Sequence, residues 1–248
     1  PGRWLDYGAR FYDAQLGRFF TIDLKTEEFP WQSAYVYADN NPVKFIDFLG
    51  MNADGYIIND LGHIKYINNE GGDKFDVLYN KNYKPENRKD YDKSGNKSGI
   101  ESTKGVIQSE REYNTPLLDA AGTKLDDIKV TRYEVTSNEE SLNLMSFLDR
   151  NTSVEFSNTL FQKGNSTVNL LLTSHESERV TNSLYNKEVY LNQGYKVVRD
   201  DHIHPNGNPK SSGGDKGHAS DLLKRSPNAI FRILANGEYY PYKPSTKK

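Results

Sequence analysis

The sequence predicts an α+β chain in three zones, and three observations carry that prediction. Aromatic residues alternate with turn formers over residues 1–50, and short β-like runs separated by turns fill residues 51–137. From residue 138 a helix pattern is followed by strands interleaved with a second helix. The 248 residues suffice for one large or two small cores. With 17 Tyr, 11 Phe and 2 Met, the composition leans towards β-structure.

In the first zone, Trp4, Tyr7, Phe11, Tyr12, Phe19 and Phe20 give a strand-like alternation broken at Gly8 and Gly17. Strands joined by tight turns follow from that pattern. The second zone holds "GYIINDLGHIKYINN" and "KFDVLYN", with turns expected at Asn59-Asp60 and Gly71-Gly72. His63 reads as an exposed strand residue. The stretch "NKNYKPENRKDYDKSGNKSGIES" is polar and almost free of aliphatics, and it reads as a mobile loop or linker.

The third zone opens with "SNEESLNLMSFLDRNT", where Ser and Asn start signals and early acidic residues precede Leu142, Met145, Phe147 and Leu148 at helical spacing. Strands are expected in "SVEFSNTLF", "TVNLLLTS" and "GYKVVRDDHIHP", a short helix in "ASDLLKRSP", and a hairpin in "AIFRILANGEYYPY" turning at Asn236-Gly237. This zone, 138–248, has the size of a single-core domain.

Composition excludes several chemistries. Without cysteine there are no disulfides, thiolate metal sites or cysteine nucleophile, and the redox compartment stays undetermined. Lys+Arg 32 against Asp+Glu 34 leaves no broad electrostatic footprint for nucleic acid, so no nucleic-acid partner is expected. No apolar run approaches a membrane span, so no membrane partner is expected either. The opening "PGRWLDYGARFY" is no signal peptide and starts in mid-pattern, as the tail of something longer would.

The chemistry concentrates in "DDHIHPNGNPKSSGGD", residues 200–215. His202 and His204 are two apart, so on a strand both imidazoles face one point. Pro205 ends the strand, and Ser212 and Asp215 form Ser-x-x-Asp in a run of small residues. An aspartate entering a helix there can be aimed back at the histidines. Two nitrogens and one carboxylate with an open fourth position make a catalytic rather than a structural zinc arrangement. Asp221, just before Leu222-Leu223, is a rival third ligand. Glu155, between Val154 and Phe156, has its side chain on the strand side opposite to theirs. His218 reads as exposed on a glycine-rich turn, and His175 as a loop residue without assigned chemistry.

Two resemblances sharpen this reading. Residues 1–50, with "LDYGARFYDAQLGRFFTID" and "AYVYADNNPVKFIDFLG", resemble the C-terminal end of the Rhs/YD-repeat associated core. That family builds a β-strand cocoon and ends its core at Asp-Pro-x-Gly, which here reads Asp47-Phe48-Leu49-Gly50. Many members cut themselves just after this motif with aspartates, and Asp23 and Asp47 stand in the matching regions. The resemblance implies a variable toxin downstream, a cognate immunity protein, an Rhs core shell as partner, and a secreted or delivered effector acting in a target cell.

Residues 138–243 resemble JAB-like toxins, with the JAMM motif of JAB/MPN-type metallopeptidases in "FLDRNTSVEF", His-x-His-Pro and Ser-x-x-Asp. The spacer from Pro205 to Ser212 is one residue shorter than is usual in the wider family. This resemblance implies Zn2+ on His202, His204 and Asp215, Glu155 as general acid/base, Ser212 as oxyanion donor, and a protein substrate. The expected layout is therefore the end of an Rhs core at 1–50, a β-rich pre-toxin region at 51–137, and a JAB-like toxin domain at 138–248.

Two rival classes remain. "DHIHP…GG" also resembles half of an HNH nuclease site, with Asp201 as metal ligand and His202 as base, although "RSPNAIF" fits the rest poorly. The other is a non-enzymatic module whose histidines brace a turn or hold a structural zinc.

Overall fold

In the computed structural model the described residues are 4–6, 11–22, 33–37, 55–68, 75–84, 90–103, 105–107, 111–118, 124–181 and 183–244. Asp23, Asp47, Gly8 and the expected Gly71-Gly72 turn lie outside them. The first zone contributes a three-stranded sheet, β1 (Trp4–Asp6), β2 (Phe11–Asp13) and β3 (Arg18–Phe19). Gly17, at φ 66, makes the expected tight turn before β3. Tyr12, Phe19 and Tyr37 form a small aromatic cluster beside it.

The second zone folds into a five-stranded sheet ordered β5-β4-β6-β8-β7: β4 (Gly55–Ile58), β5 (Ile64–Asn68), β6 (Phe75–Tyr79), β7 (Tyr91–Asp92) and β8 (Gly99–Thr103). The expected turn joins β4 to β5. The stretch expected to be a linker is corrected here, because it supplies β7 and β8 and buries Ile100 completely. One aliphatic residue suffices, since Gly99 lets the strand lie against Tyr79, where a Cβ would meet the ring at 2.7 Å.

The rest builds a seven-stranded sheet ordered β15-β14-β13-β11-β12-β10-β9. Its members are β9 (Arg111–Leu118), β10 (Lys124–Val135), β11 (Ser157–Lys163), β12 (Ser166–Thr173), β13 (Lys196–Ile203), β14 (Ile230–Ala235) and β15 (Glu238–Tyr242). Helix α1 (Asn138–Asn151) is capped by the Ser137 hydroxyl, which accepts from Glu140 N at 3.2 Å. Two further helices are α2 (Ser183–Asn192) and α3 (Gly213–Leu223). The final hairpin turns at Asn236 (φ 52) and Gly237 (φ 81), the two left-handed positions that such a turn requires. Among the described residues, no helix is long and apolar enough to cross a membrane.

Period-two alternation sorts the strands of the large sheet between two cores. Leu171, Tyr133, Val135 and Ile203 face α1, together with Leu144, Met145, Phe147 and Leu148 of that helix. Leu170, Leu172, Phe161 and Val197 face the other way, against Tyr190 and Leu191 of α2 and Ala219 and Leu222 of α3. Tyr56, Ile58, Leu78 and Ile100 of the small sheet belong to the α1 core. Helix α1 thus packs between the two sheets, and Glu140 ties it to β8 by accepting from Ser102 Oγ (2.8 Å), Thr103 N (2.7 Å) and Thr103 Oγ1 (2.7 Å).

The expected line at 137/138 falls inside this shared core, and β10 pairs with β12 across it. A chain beginning at residue 138 loses a sheet partner and half of an apolar cluster. It should be insoluble or lack a cooperative melting transition, whereas a chain beginning at residue 52 should melt cooperatively. Circular dichroism melting of the two chains checks this; a cooperative transition in the shorter one would contradict it.

Candidate metal centre

The centre sits at the carboxyl end of β13, where the chain crosses through α3 to the parallel strand β14. A bulge opposite Leu160/Phe161 sets which residues face α2 and α3: Phe161 pairs with Val197, Thr159 with Asp200 and Ser157 with His202. The extra residue brings Asp200 and His202 onto the face of Val197. His204 lies just past the strand, its N donating to Leu234 O at 2.9 Å, so it continues the alternation. The two Nε2 atoms are 3.0 Å apart. His204 Nδ1 is 2.7 Å from Asn208 O. A carbonyl can only accept, so in the neutral ring Nδ1 carries the hydrogen and Nε2 presents a lone pair to His202.

Asp215 arrives by a local device. Ser212 caps α3, its Oγ accepting from Asp215 N at 3.1 Å while Asp215 Oδ2 accepts from Ser212 N at 2.5 Å. This reciprocal capping box fixes the carboxylate in the first helical turn, where the helix dipole favours negative charge. Asp215 Oδ1 is then 3.4 Å from His202 Nε2, and Oδ2 is 3.6 Å from His204 Nε2. Burial would raise the Asp215 pKa, but the facing imidazoles and the Ser212 amide hold it well below the ordinary range. For His204 burial works against the charged form, and Asp215, the Asn208 carbonyl and Glu155 together outweigh it and raise the pKa.

The donor set fits zinc. Two ligand atoms about 2.0–2.1 Å from a tetrahedral ion stand roughly 3.3 Å apart. The two nitrogens are 3.0 Å apart, Asp215 reaches His202 with Oδ1 (3.4 Å) and His204 with its other oxygen, Oδ2 (3.6 Å), and one ligand atom from each residue lies within 4.8 Å of the others. Two nitrogens and a carboxylate leave a fourth position open. His202, His204 and Asp215 thus form a group that could hold a metal ion.

Glu155 is expected on a strand, but it lies two residues before β11 begins, and the alternation nevertheless continues through it. Val154 and Phe156 enter the α1 core, and Glu155 lines a cleft of about 320 Å³ with Ser157, Lys187, Asp200, His202, Ser212, Asp215 and His218. It is buried. Burial pushes its carboxyl up to about 8, with His204 pulling down and Asp215, Glu178 and Glu176 pushing further up. Ser212 keeps its hydroxyl hydrogen, because the cap uses only a lone pair.

Other expectations are settled by position. Asp221 is on the last turns of α3, paired with Lys224 at 2.5 Å and 46% exposed, and does not join the histidines. Asp201 points to the opposite side of β13 from His202 and is held by Arg199 (2.6 Å) and Arg232 (2.7 Å). His218 is corrected from an exposed turn to α3, three residues after Asp215. It is largely enclosed, with Nε2 2.9 Å from Lys187 Nζ and 3.2 Å from Asp200 Oδ2. His175 is structural, between Thr131 Oγ1 (2.8 Å) and Leu61 O (2.7 Å).

The sequence reading missed Lys187, Asp200 and Ser157, all of which line the cleft. Lys187 Nζ donates to Asp200 Oδ1 at 2.7 Å, and Thr159 Oγ1 donates to the same oxygen at 2.5 Å. Asp200 could have been found from its two-residue spacing to His202. Lys187 could not, because α2 was itself unseen.

Residues 133–225 match the family model of JAB-like toxin 1. No curated protein matches the chain. The match supports a JAB-like toxin domain over that stretch, and it spans Glu155, both histidines, Ser212 and Asp215.

Two outcomes follow for this JAB-like site. Metal analysis of purified protein should find about one zinc, lost in His204→Ala and in Asp215→Ala but retained in Asp221→Ala; retention in Asp215→Ala would reassign the third ligand. The other concerns pH. Glu155 takes up its proton more tightly folded (about 8) than unfolded (4.5), so in metal-free protein its contribution to stability is lost as pH rises between those values. Glu155→Gln removes that loss. Thermal unfolding of chelated wild type and variant should coincide below about pH 4.5 and diverge as pH rises to about 8, with the variant melting several degrees higher.

Proposed function

We propose that this chain is the C-terminal region of a polymorphic Rhs toxin whose JAB-like domain is a zinc-dependent peptidase or isopeptidase. The observation that carries the reading is the meeting of one ligand atom each from His202, His204 and Asp215 within 4.8 Å of one another, with the buried Glu155 in the same cleft. His202, His204 and Asp215 would hold the zinc, which would supply a Lewis acid for the scissile carbonyl and the attacking water.

The chain's own residues do the rest. Glu155 takes the proton of the attacking water and returns it to the leaving nitrogen as the C–N bond breaks. Its burial favours the protonated carboxyl, which suits a group that must hold a proton between two transfers. The Ser212 hydroxyl donates to the oxyanion that develops on the carbonyl. His204 Nδ1, tied to Asn208 O, keeps the ring in one tautomer and one orientation.

The Rhs resemblance of residues 1–50 supports delivery from a β-strand shell into a competitor cell, with a cognate immunity protein protecting the producer. The HNH alternative finds no support at Asp201, because two arginines occupy that carboxylate on the far side of the strand.

Expression of Glu155→Gln in a bacterial host tests the proposal. The variant keeps its size and hydrogen-bonding groups but cannot accept the proton, so growth inhibition should fall by roughly a hundred- to ten-thousand-fold, with zinc content unchanged. A Glu155→Gln protein as inhibitory as wild type would remove the peptidase reading.

A further inference from the structure

Glu155 lies within the family-matched stretch, but part of what holds it lies outside. The β4–β5 turn, Asn59–His63, closes on itself: Asn59 Oδ1 accepts from Leu61 N and His63 N at 3.0 Å each, and Gly62 takes φ 76. This compact turn touches the two backbone segments that flank the glutamate. On one side, Ser153 N donates to Asp60 O at 2.7 Å. Gly62 lies against the residues on either side of Glu155, and a Cβ there would meet Phe156 Cζ at 3.0 Å and Val154 Cγ2 at 3.1 Å.

On the other side stands His175, in the left-handed region at φ 59. Its Nδ1 is 2.7 Å from Leu61 O, where the carbonyl makes it the donor. Its ring stacks on His63 at 3.9 Å with 15° between planes. The next residue, Glu176, closes the circuit, its carbonyl accepting from Glu155 N at 2.8 Å. Asp60 is also paired at 2.7 Å with Lys81, just past β6, in an exposed ion pair.

We propose that the Asn59–His63 turn, with His175 as its keystone, is a positioning device for Glu155, so that the five-stranded sheet is a working part of the JAB-like site. The segment 153–156 has no regular strand or helix pairing of its own. Its backbone is held by Asp60 at Ser153 N, by Glu176 at Glu155 N and by Ile203 of β13, whose N donates to Phe156 O at 2.9 Å, with side-chain packing on Gly62. A carboxylate that must meet a reacting proton needs its backbone held to within about half an ångström. The proposal rests on the role given to Glu155 above.

His175→Ala and His175→Asn test it together. Alanine loses the bonds to both Leu61 and Thr131 and is strained at this φ, whereas asparagine tolerates the left-handed region and places an amide nitrogen near Nδ1 to restore the bond to Leu61. Hydrogen exchange reads the device without reference to activity. In His175→Ala the Ser153 and Glu155 amides should exchange at least about tenfold faster, while those of β13 stay unchanged. Zinc should be retained and growth inhibition should fall at least tenfold, and His175→Asn should restore both readouts.

Unchanged exchange at the two amides in His175→Ala would overturn the proposal. So would faster exchange with full toxicity, provided that Glu155→Gln is inert in the same assay. If Glu155→Gln is itself fully toxic, the peptidase reading fails and the catalytic part of this proposal falls with it, while exchange still decides whether the turn holds the backbone. Should His175→Ala fail to fold, His63→Ala removes only an exposed ring from the stack and carries the same exchange readout, with an expected effect of about threefold.

Discussion

The Asp215 carboxylate serves two masters, and the site depends on that sharing. One oxygen caps the helix that begins at Ser212, and both oxygens face imidazole nitrogens. A carboxylate on a flexible loop would have to be ordered at a cost of about 1–2 kcal/mol per residue fixed. Here the capping box orders it as part of making the helix. The Ser-x-x-Asp spacing is therefore explained first as helix chemistry. It becomes part of a group that could hold a metal only because the bulge in β13 and the turn at Pro205 aim both histidines at the same helix start.

The two faces of the large sheet are specialised in consequence. Towards α1 they are apolar and shared with the small sheet. Towards α2 and α3 the same strands become polar as they approach the site: Phe161, then Thr159, Ser157 and Glu155 on one strand line; Val197, then Asp200, His202 and His204 on the neighbouring one. A polar strip inside a fold is tolerated only when its groups are partnered. Asp200 has Thr159 and Lys187, whereas the buried Ser157 hydroxyl, which lines the cleft, has no hydrogen-bond partner among the described residues.

What could be read in the sequence was what local rules decide. The start of α1, the turns at Asn59 and Asn236, the same-side histidines and the Ser-x-x-Asp unit all depend on neighbours within a few residues. What could not be read depends on distant partners. Helix α2 turns Ser183, Asn186 and Lys187 inward, so it shows no clear apolar stripe, and its only large buried anchors are Tyr190 and Leu191. Strands β7 and β8 lie in a Lys- and Asn-rich stretch whose one aliphatic anchor, Ile100, is lost in any average. His218 looked exposed because its helix was expected to begin at Ala219, whereas the cap at Ser212 starts it earlier.

The polar underside of α2 has a physical reason in the site it covers. Lys187 is wholly buried, and burial alone would drive off its proton; Asp200 opposes that, and although burial also works against the Asp200 carboxylate, Lys187 beside it holds its pKa well below the ordinary range. A buried pair of this kind adds little net stability, because desolvation offsets most of the attraction. Its effect is geometric. Lys187 bridges α2 to Asp200 on β13 and to His218 on α3, so the helix carrying Asp215 is held against the strand carrying His202 by hydrogen bonds with fixed lengths and directions. An apolar contact there would be at least as stabilising, but it would let α3 slide, and three donors gathered within 4.8 Å of one another leave little room for sliding.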